Sequence, residues 1–188
     1  MSNTDQKLKQ LIELVEKLRD VATAKKVYYL CCQAFIILVQ NILLKKMIDL
    51  VVSKTNDSYQ YDIQSIKDLC VLVLNDSNYE SISLNIIFTD DSHLSKLKVK
   101  YFDEDVLTDV LAFPMENDTK LESEIYISYD RALASSKEFK VSMNSELVRL
   151  IVHGILHLLG YRDNNDESKK IMFDKQEAIV ESCKIKIV

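Results

Sequence analysis

With 188 residues, 47% of them hydrophobic and 28% charged, the chain is long and apolar enough to bury a core, which excludes a disordered or low-complexity protein. The net charge of −5 excludes binding to nucleic acid by overall attraction, so any such contact must come from a local patch. Cysteines at 31, 32, 70 and 183 form no CxxC pair, and MSNTDQKLKQ lacks a signal-peptide layout; a reducing cytoplasm is the expected setting.

In chain order, residues 4–23 place Leu8, Leu11, Ile12, Val15, Leu18 and Ala22 on one face, the pattern of an amphipathic helix. Residues 27–44, VYYLCCQAFIILVQNILL, are apolar nearly all round and flanked by lysine pairs. Such a run is buried or lies in a membrane, but Gln33, Gln40 and Asn41 make it a poor span. Residues 1–46 carry eight Lys or Arg and four Asp or Glu, a balance of +4, and the sixteen and twenty-five that remain leave −9. Three readings of this helical extension stay open: a misassigned start ahead of Met47, a soluble helical hairpin, or a membrane anchor. A membrane partner for the protein as a whole is not expected.

From Met47 the pattern mixes strands and helices. MIDLVVS reads as a strand, and DIQSIKDLCVLVLND as a helix turning Ile63, Ile66, Leu69 and Cys70 inward. SISLNIIF is a strand and DDSHLSKLKVKYF a short helix capped near Asp91. DVLAFP, closed by Pro114, and EIYIS are strands. Helices follow at 130–139, 143–159 and 166–183, the last capped near Asp166. The expected class is α+β, a small mixed sheet packed by helices, in a domain spanning 47–188 behind the extension 1–46.

The chemistry concentrates in MNSELVRLIVHGILHLL and the residues after it. His153 and His157 stand four apart, so their rings share one helix face, a turn apart. Two imidazoles at that spacing can hold one metal ion. Gly160 falls where the helix should stop and favours a left-handed cap. The reversal brings Asp163 towards the pair as a third ligand, giving HxxxHxxGxxD with an open coordination position, the mark of a catalytic metal. Gly154 costs about 1 kcal/mol inside a helix; close approach of a substrate or a neighbouring strand would justify it. In zincin proteases this position is the general-base Glu of HExxH, so a peptidase mechanism of that type is disfavoured.

These residues carry a resemblance. HGILHLLGYRDNNDESKKIMFDKQEAI resembles the HGxLHLxGYDH signature of the YbeY family of bacterial metal-dependent endoribonucleases, followed by its acidic stretch and MxxxQE. YFDEDVLTDVLAFP resembles the family's YRxKDxPTDVLSFP, and SEIYIS stands where GDIxIS is usual. The resemblance runs over residues 47–183, and Met47 would start a chain of the usual family length. It implies a zincin-like HxxxH helix, and His153 and His157 as ligands of a divalent metal, usually zinc. The family's third ligand, a His, falls on Asp163, whose carboxylate is also a competent ligand. It implies cleavage of single-stranded RNA in small-subunit rRNA maturation and ribosome quality control, with the ribosome or small-subunit proteins as partners.

A further departure bears on catalysis. The family's arginine, proposed to act in catalysis, falls on Phe102, and its nearby lysine on Glu104. A cation for the phosphate would then come from Arg131, Arg149 or Arg162, and contact with RNA from a local basic rim of Lys96, Lys98, Lys100, Lys137 and Lys140. Thr108 and Asp109 match the family's TD and are read as pinning a strand end by hydrogen bonds, while His93 is read as a helix-surface residue. The general base is not identified. A metallo-endoribonuclease is the favoured reading, and a non-catalytic ribosome-assembly factor with a structural metal is the alternative.

Overall fold

Apolar alternation and side-chain capping together build the elements. The computed structural model describes residues 47–188 other than 76 and 118, together with Glu13; the expected helical extension over 1–46 lies outside the described residues. Strands β1 (Met47–Lys54), β2 (Ser81–Thr89), β3 (Val110–Asn117) and β4 (Lys120–Ser128) form one sheet in the order β1-β2-β4-β3. β1 and β4 both run parallel to β2, and β3 returns antiparallel to β4. The helices are α1 (Ile63–Leu74), α2 (Asp91–Phe102), α3 (Tyr129–Glu138), α4 (Met143–Leu158) and α5 (Asp166–Ser182). This is a mixed-sheet α+β fold, as expected. Among the described residues no helix is long and apolar enough to cross a membrane.

Each of these helices starts on a side-chain cap. Asp62, Asp90, Ser128, Ser142 and Asn165 accept the backbone N–H three residues on, satisfying a donor that the first turn leaves without a helical partner. The caps fall near Asp91 and Asp166, as expected, on the preceding residues Asp90 and Asn165. Asp91 instead pairs with Arg131 Nη2 at 2.8 Å.

Pro114 does not close its strand. β3 runs on to Asn117, with Pro114 opposite Ser123. A proline is tolerated there because β3 is an edge strand, so the missing N–H can face away from β4. The hairpin this creates also starts β4 at Lys120, four residues before the expected EIYIS strand.

Leu121, Ser123, Ile125 and Ile127 of β4 are buried, as are Ile82, Leu84, Ile86 and Phe88 of β2. The strands thus present one buried face, with alternate residues on the other. Against the buried face lies α4, which buries Leu147, Ile151, Val152, Ile155 and Leu158 among others, each contributing roughly 1.5–3 kcal/mol. Gly154 sits at the closest approach. A Cβ there would stand 2.9 Å from Ile125 Cγ2 and 3.3 Å from Val110 Cγ2. The space reserved by Gly154 therefore belongs to the sheet, not to a substrate. Gly154→Ala should lose about 1 kcal/mol net, because overpacking of about 1–3 kcal/mol exceeds the helix-propensity gain of about 1 kcal/mol. Chemical denaturation measures this, and a variant as stable as the parent would show that Ile125 yields freely.

Candidate metal centre

The site is built at the C-terminal end of α4. Leu159 caps the helix, and Gly160 takes φ +89°. Tyr161 N–H donates to Leu156 O at 3.0 Å and Gly160 N–H to His157 O at 3.1 Å. That pair of bonds is a Schellman motif, which needs the left-handed residue that glycine supplies without strain. Arg162 Nη1 reinforces the turn by donating to His157 O and Tyr161 O, each at 3.1 Å. Chain reversal then carries Asp163 Oδ2 to 3.8 Å from His157 Nε2. His153, His157 and Asp163 present ligand atoms within 4.8 Å of one another, a group that could hold a metal ion.

The protonation of both imidazoles follows from their outer partners. His157 Nδ1 lies 3.2 Å from the Tyr161 carbonyl oxygen, which can only accept. His153 Nδ1 lies 2.9 Å from Gln176 Oε1. The Gln176 amide is oriented by its own donation from Nε2 to Glu177 Oε1 at 3.0 Å, and Glu177 is held by Arg149 Nε at 3.1 Å. Both Nδ1 atoms therefore carry the hydrogen, and both Nε2 lone pairs point inward, 3.0 Å apart. Two converging lone pairs repel unless a cation lies against them. Tetrahedral ligation with bonds of 2.0–2.1 Å would place them about 3.3 Å apart. Burial, and next the charge of His153 when protonated, push the His157 pKa below its ordinary value, so this ring is neutral at neutral pH. The donor set thus suits a divalent cation better than a proton.

Two clefts meet at this cluster, and His153, Asp163 and Asp109 line both. One, of about 650 Å³ between α4 and α5, has an apolar wall including Phe139, Leu150, Met172 and Phe173. The other, of about 500 Å³, runs along β3 past Thr108, Phe102, Lys98, Glu104 and Arg162.

Of the candidate cations, Arg162 and Lys98 line the β3 cleft and Arg149 the α4–α5 cleft, whereas Arg131 is committed to Asp91. Lys98 pairs with Glu104 at 3.2 Å. Thr108 Oγ1 donates to Val110 O at 3.0 Å, pinning the start of β3 as expected. Exposed His93, on α2, has its ring tilted 6.1 Å from that of Tyr126 on β4 and lines neither of the cluster's clefts. Sequence reasoning missed Gln176 as the residue that orients His153. The available signal was its place one turn after Met172 on the inner stripe of α5, where both residues are buried.

Comparison with known proteins agrees with this architecture. The family model "Endoribonuclease YbeY" matches residues 51–184. A protein named Endoribonuclease YbeY from Finegoldia magna is 39% identical over 127 residues, covering 65% of this chain and 80% of the relative. One of the same name from Malacoplasma penetrans is 33% identical, covering 65% and 85%. The solution structure of TM1509 from Thermotoga maritima superposes with a TM-score of 0.51 at 25% identity, covering 70% of this chain and 87% of that one. On the sequence match and the shared fold, this chain belongs to the YbeY family of endoribonucleases.

Proposed function

We propose that residues 47–188 form a metal-dependent endoribonuclease domain that cleaves single-stranded RNA, with zinc held by His153, His157 and Asp163. We place its work in the cytoplasm, in small-subunit rRNA maturation and ribosome quality control, with the ribosome or small-subunit proteins as partners. The observation that carries the metal reading is the convergence of two Nε2 lone pairs whose Nδ1 hydrogens are already committed to Tyr161 and Gln176.

His153, His157 and Asp163 would hold a divalent ion, which would supply Lewis acidity towards a phosphate and an activated water. The protein's own part is positioning and charge. Gln176 and the Tyr161 carbonyl hold the two imidazoles in their ligating tautomer. Arg162 and Lys98 offer N–H donors to a phosphate entering the β3 cleft. Gly154 carries no carboxylate and faces Ile125, so the zincin peptidase base is lacking at that position.

A second reading, an assembly factor that binds the ribosome without cutting RNA, is favoured by Phe102 and Glu104. Both line the β3 cleft where the family's basic residues are expected.

The deciding experiment is cleavage of a labelled single-stranded RNA by rigorously repurified protein, with metal content read on the same sample. Chelation should remove the metal and the activity together, and stoichiometric zinc should restore both. RNA cleavage that persists in metal-free protein would sink the metal-dependent reading. Bound metal without cleavage would leave the assembly factor.

A further inference from the structure

The sheet face turned away from α4 carries a third cleft, beside the one that runs along β3. In the β3–β4 hairpin, Phe113 lies opposite Glu124 and Leu111 opposite Tyr126. Strand alternation puts these side chains on the face opposite Ile125 and Gly154. The last turn of α2 brings Tyr101 and Phe102 over them. Phe113 is the hub of the rings: its centroid lies 5.1 Å from Tyr101, 5.8 Å from Phe102 and 5.8 Å from Tyr126. Together with Met115 and Glu124 they wall a cleft of about 500 Å³. Tyr101 is 57% exposed and Phe102 48%. Two large rings left in water side by side mark a surface built for contact.

This aromatic cleft is continuous with the metal cleft. Phe102, Ala112 and Pro114 line both, so the two join across β3, the edge strand of the sheet among the described residues. We propose that the aromatic cleft is a stacking subsite for an unpaired base of the RNA strand whose phosphodiester lies at His153, His157 and Asp163. The inference rests on the endoribonuclease reading and deepens it.

Charge decides which part of a nucleotide enters. Glu124 lines the cleft and accepts the Tyr126 hydroxyl at 2.9 Å. A carboxylate there repels a phosphate but accepts from the N–H edge of a base. Burial and the Glu124 carboxylate push the Tyr126 pKa up to about 12, so that ring stays uncharged. The lysines lie at the rim: Lys100 Nζ stands 4.8 Å from the Tyr101 centroid, and Lys98, paired with Glu104, lines the adjoining cleft. Base inside and backbone outside is the arrangement of single-strand binders that stack bases on aromatic rings and track phosphates with lysines. Every base has a stacking face, so the subsite tolerates sequence, whereas a paired base cannot enter.

The test is binding of a fluorescein-labelled single-stranded RNA to the full-length protein, followed by anisotropy at low temperature with intact RNA confirmed on a gel. F102A should weaken binding about tenfold without changing the salt dependence, because the lost ring neutralises no phosphate. The natural chain has no tryptophan, so F102W supplies a single emitter. Its affinity should match the parent's, and its emission should be quenched by the unpaired oligonucleotide but not by the duplex of the same sequence. Parent protein that binds and cuts RNA while F102A does so equally well would overturn the subsite alone, as would an unquenched F102W. A parent that neither binds nor cuts RNA would bring down the endoribonuclease reading and this inference with it. Should F102A fold poorly, the quenching of F102W decides.

Discussion

His157→Ala is expected to lose bound metal and RNA cleavage together while keeping the fold. The substitution removes one of two converging imidazole nitrogens and leaves His153 Nε2 and the half-exposed Asp163 carboxylate. Two such ligands do not define a tetrahedral catalytic site, which takes three from the protein and leaves one position open. Losing Lewis-acid stabilisation worth several kcal/mol lowers the rate by about a thousandfold or more. The structural cost is small by comparison. The Tyr161 carbonyl, which loses the His157 N–H, keeps its bond from Arg162, and the Schellman turn uses backbone groups alone. Metal analysis, a circular-dichroism melt and a cleavage assay on one preparation separate these effects. A variant with full metal content and parental activity would remove His157 from the site.

Gln176→Leu should weaken metal affinity by about 10- to 100-fold, the range typical of outer partners of ligating histidines, with every ligand still in place. Gln176 is 5% exposed, and its Oε1 is the acceptor that keeps the hydrogen on His153 Nδ1. Leucine fills similar volume but leaves that N–H unpaired, at a cost of about 1–3 kcal/mol, and frees the ring to rotate or change tautomer. Glu177→Gln is the informative control. It keeps an oxygen for the Gln176 amide while giving up the ion pair with Arg149, so it should lose less than Gln176→Leu. Direct metal titration against a competing chelator gives both numbers. Equal affinity in Gln176→Leu and the parent would mean that the His153 tautomer is set elsewhere.

What could be read from the sequence was whatever neighbours along the chain decide. The span 143–159 was legible to within a residue because apolar periodicity and Gly160 act within one helix and its turn. The approach of Asp163 was legible for the same reason, since a left-handed glycine at the helix end leaves few directions for three further residues. Gln176 was not legible as the partner of His153, because it lies 23 residues away on another helix. Pro114 misled in the opposite sense. Locally it ends a strand, and only the position of β3 at the sheet edge makes it harmless. Asp109 shows the same limit. Its place beside Thr108 is visible in the sequence, but its presence at the meeting of two clefts depends on where the sheet sets the start of β3. Which of two adjacent aspartates caps α2 was likewise a matter of the second one's tertiary partner, Arg131.

The proline at the middle of β3 bears on how copies of this protein behave at high concentration. A sheet edge invites a strand from another molecule to zip onto its open backbone groups, which is a route to aggregation and to domain exchange. Along β3 that ladder is broken midway, because Pro114 has no N–H to give. An incoming strand would leave a carbonyl unmatched and meet the pyrrolidine ring in its path. The edge that borders the β3 cleft is thereby a poor template for a strand from another copy.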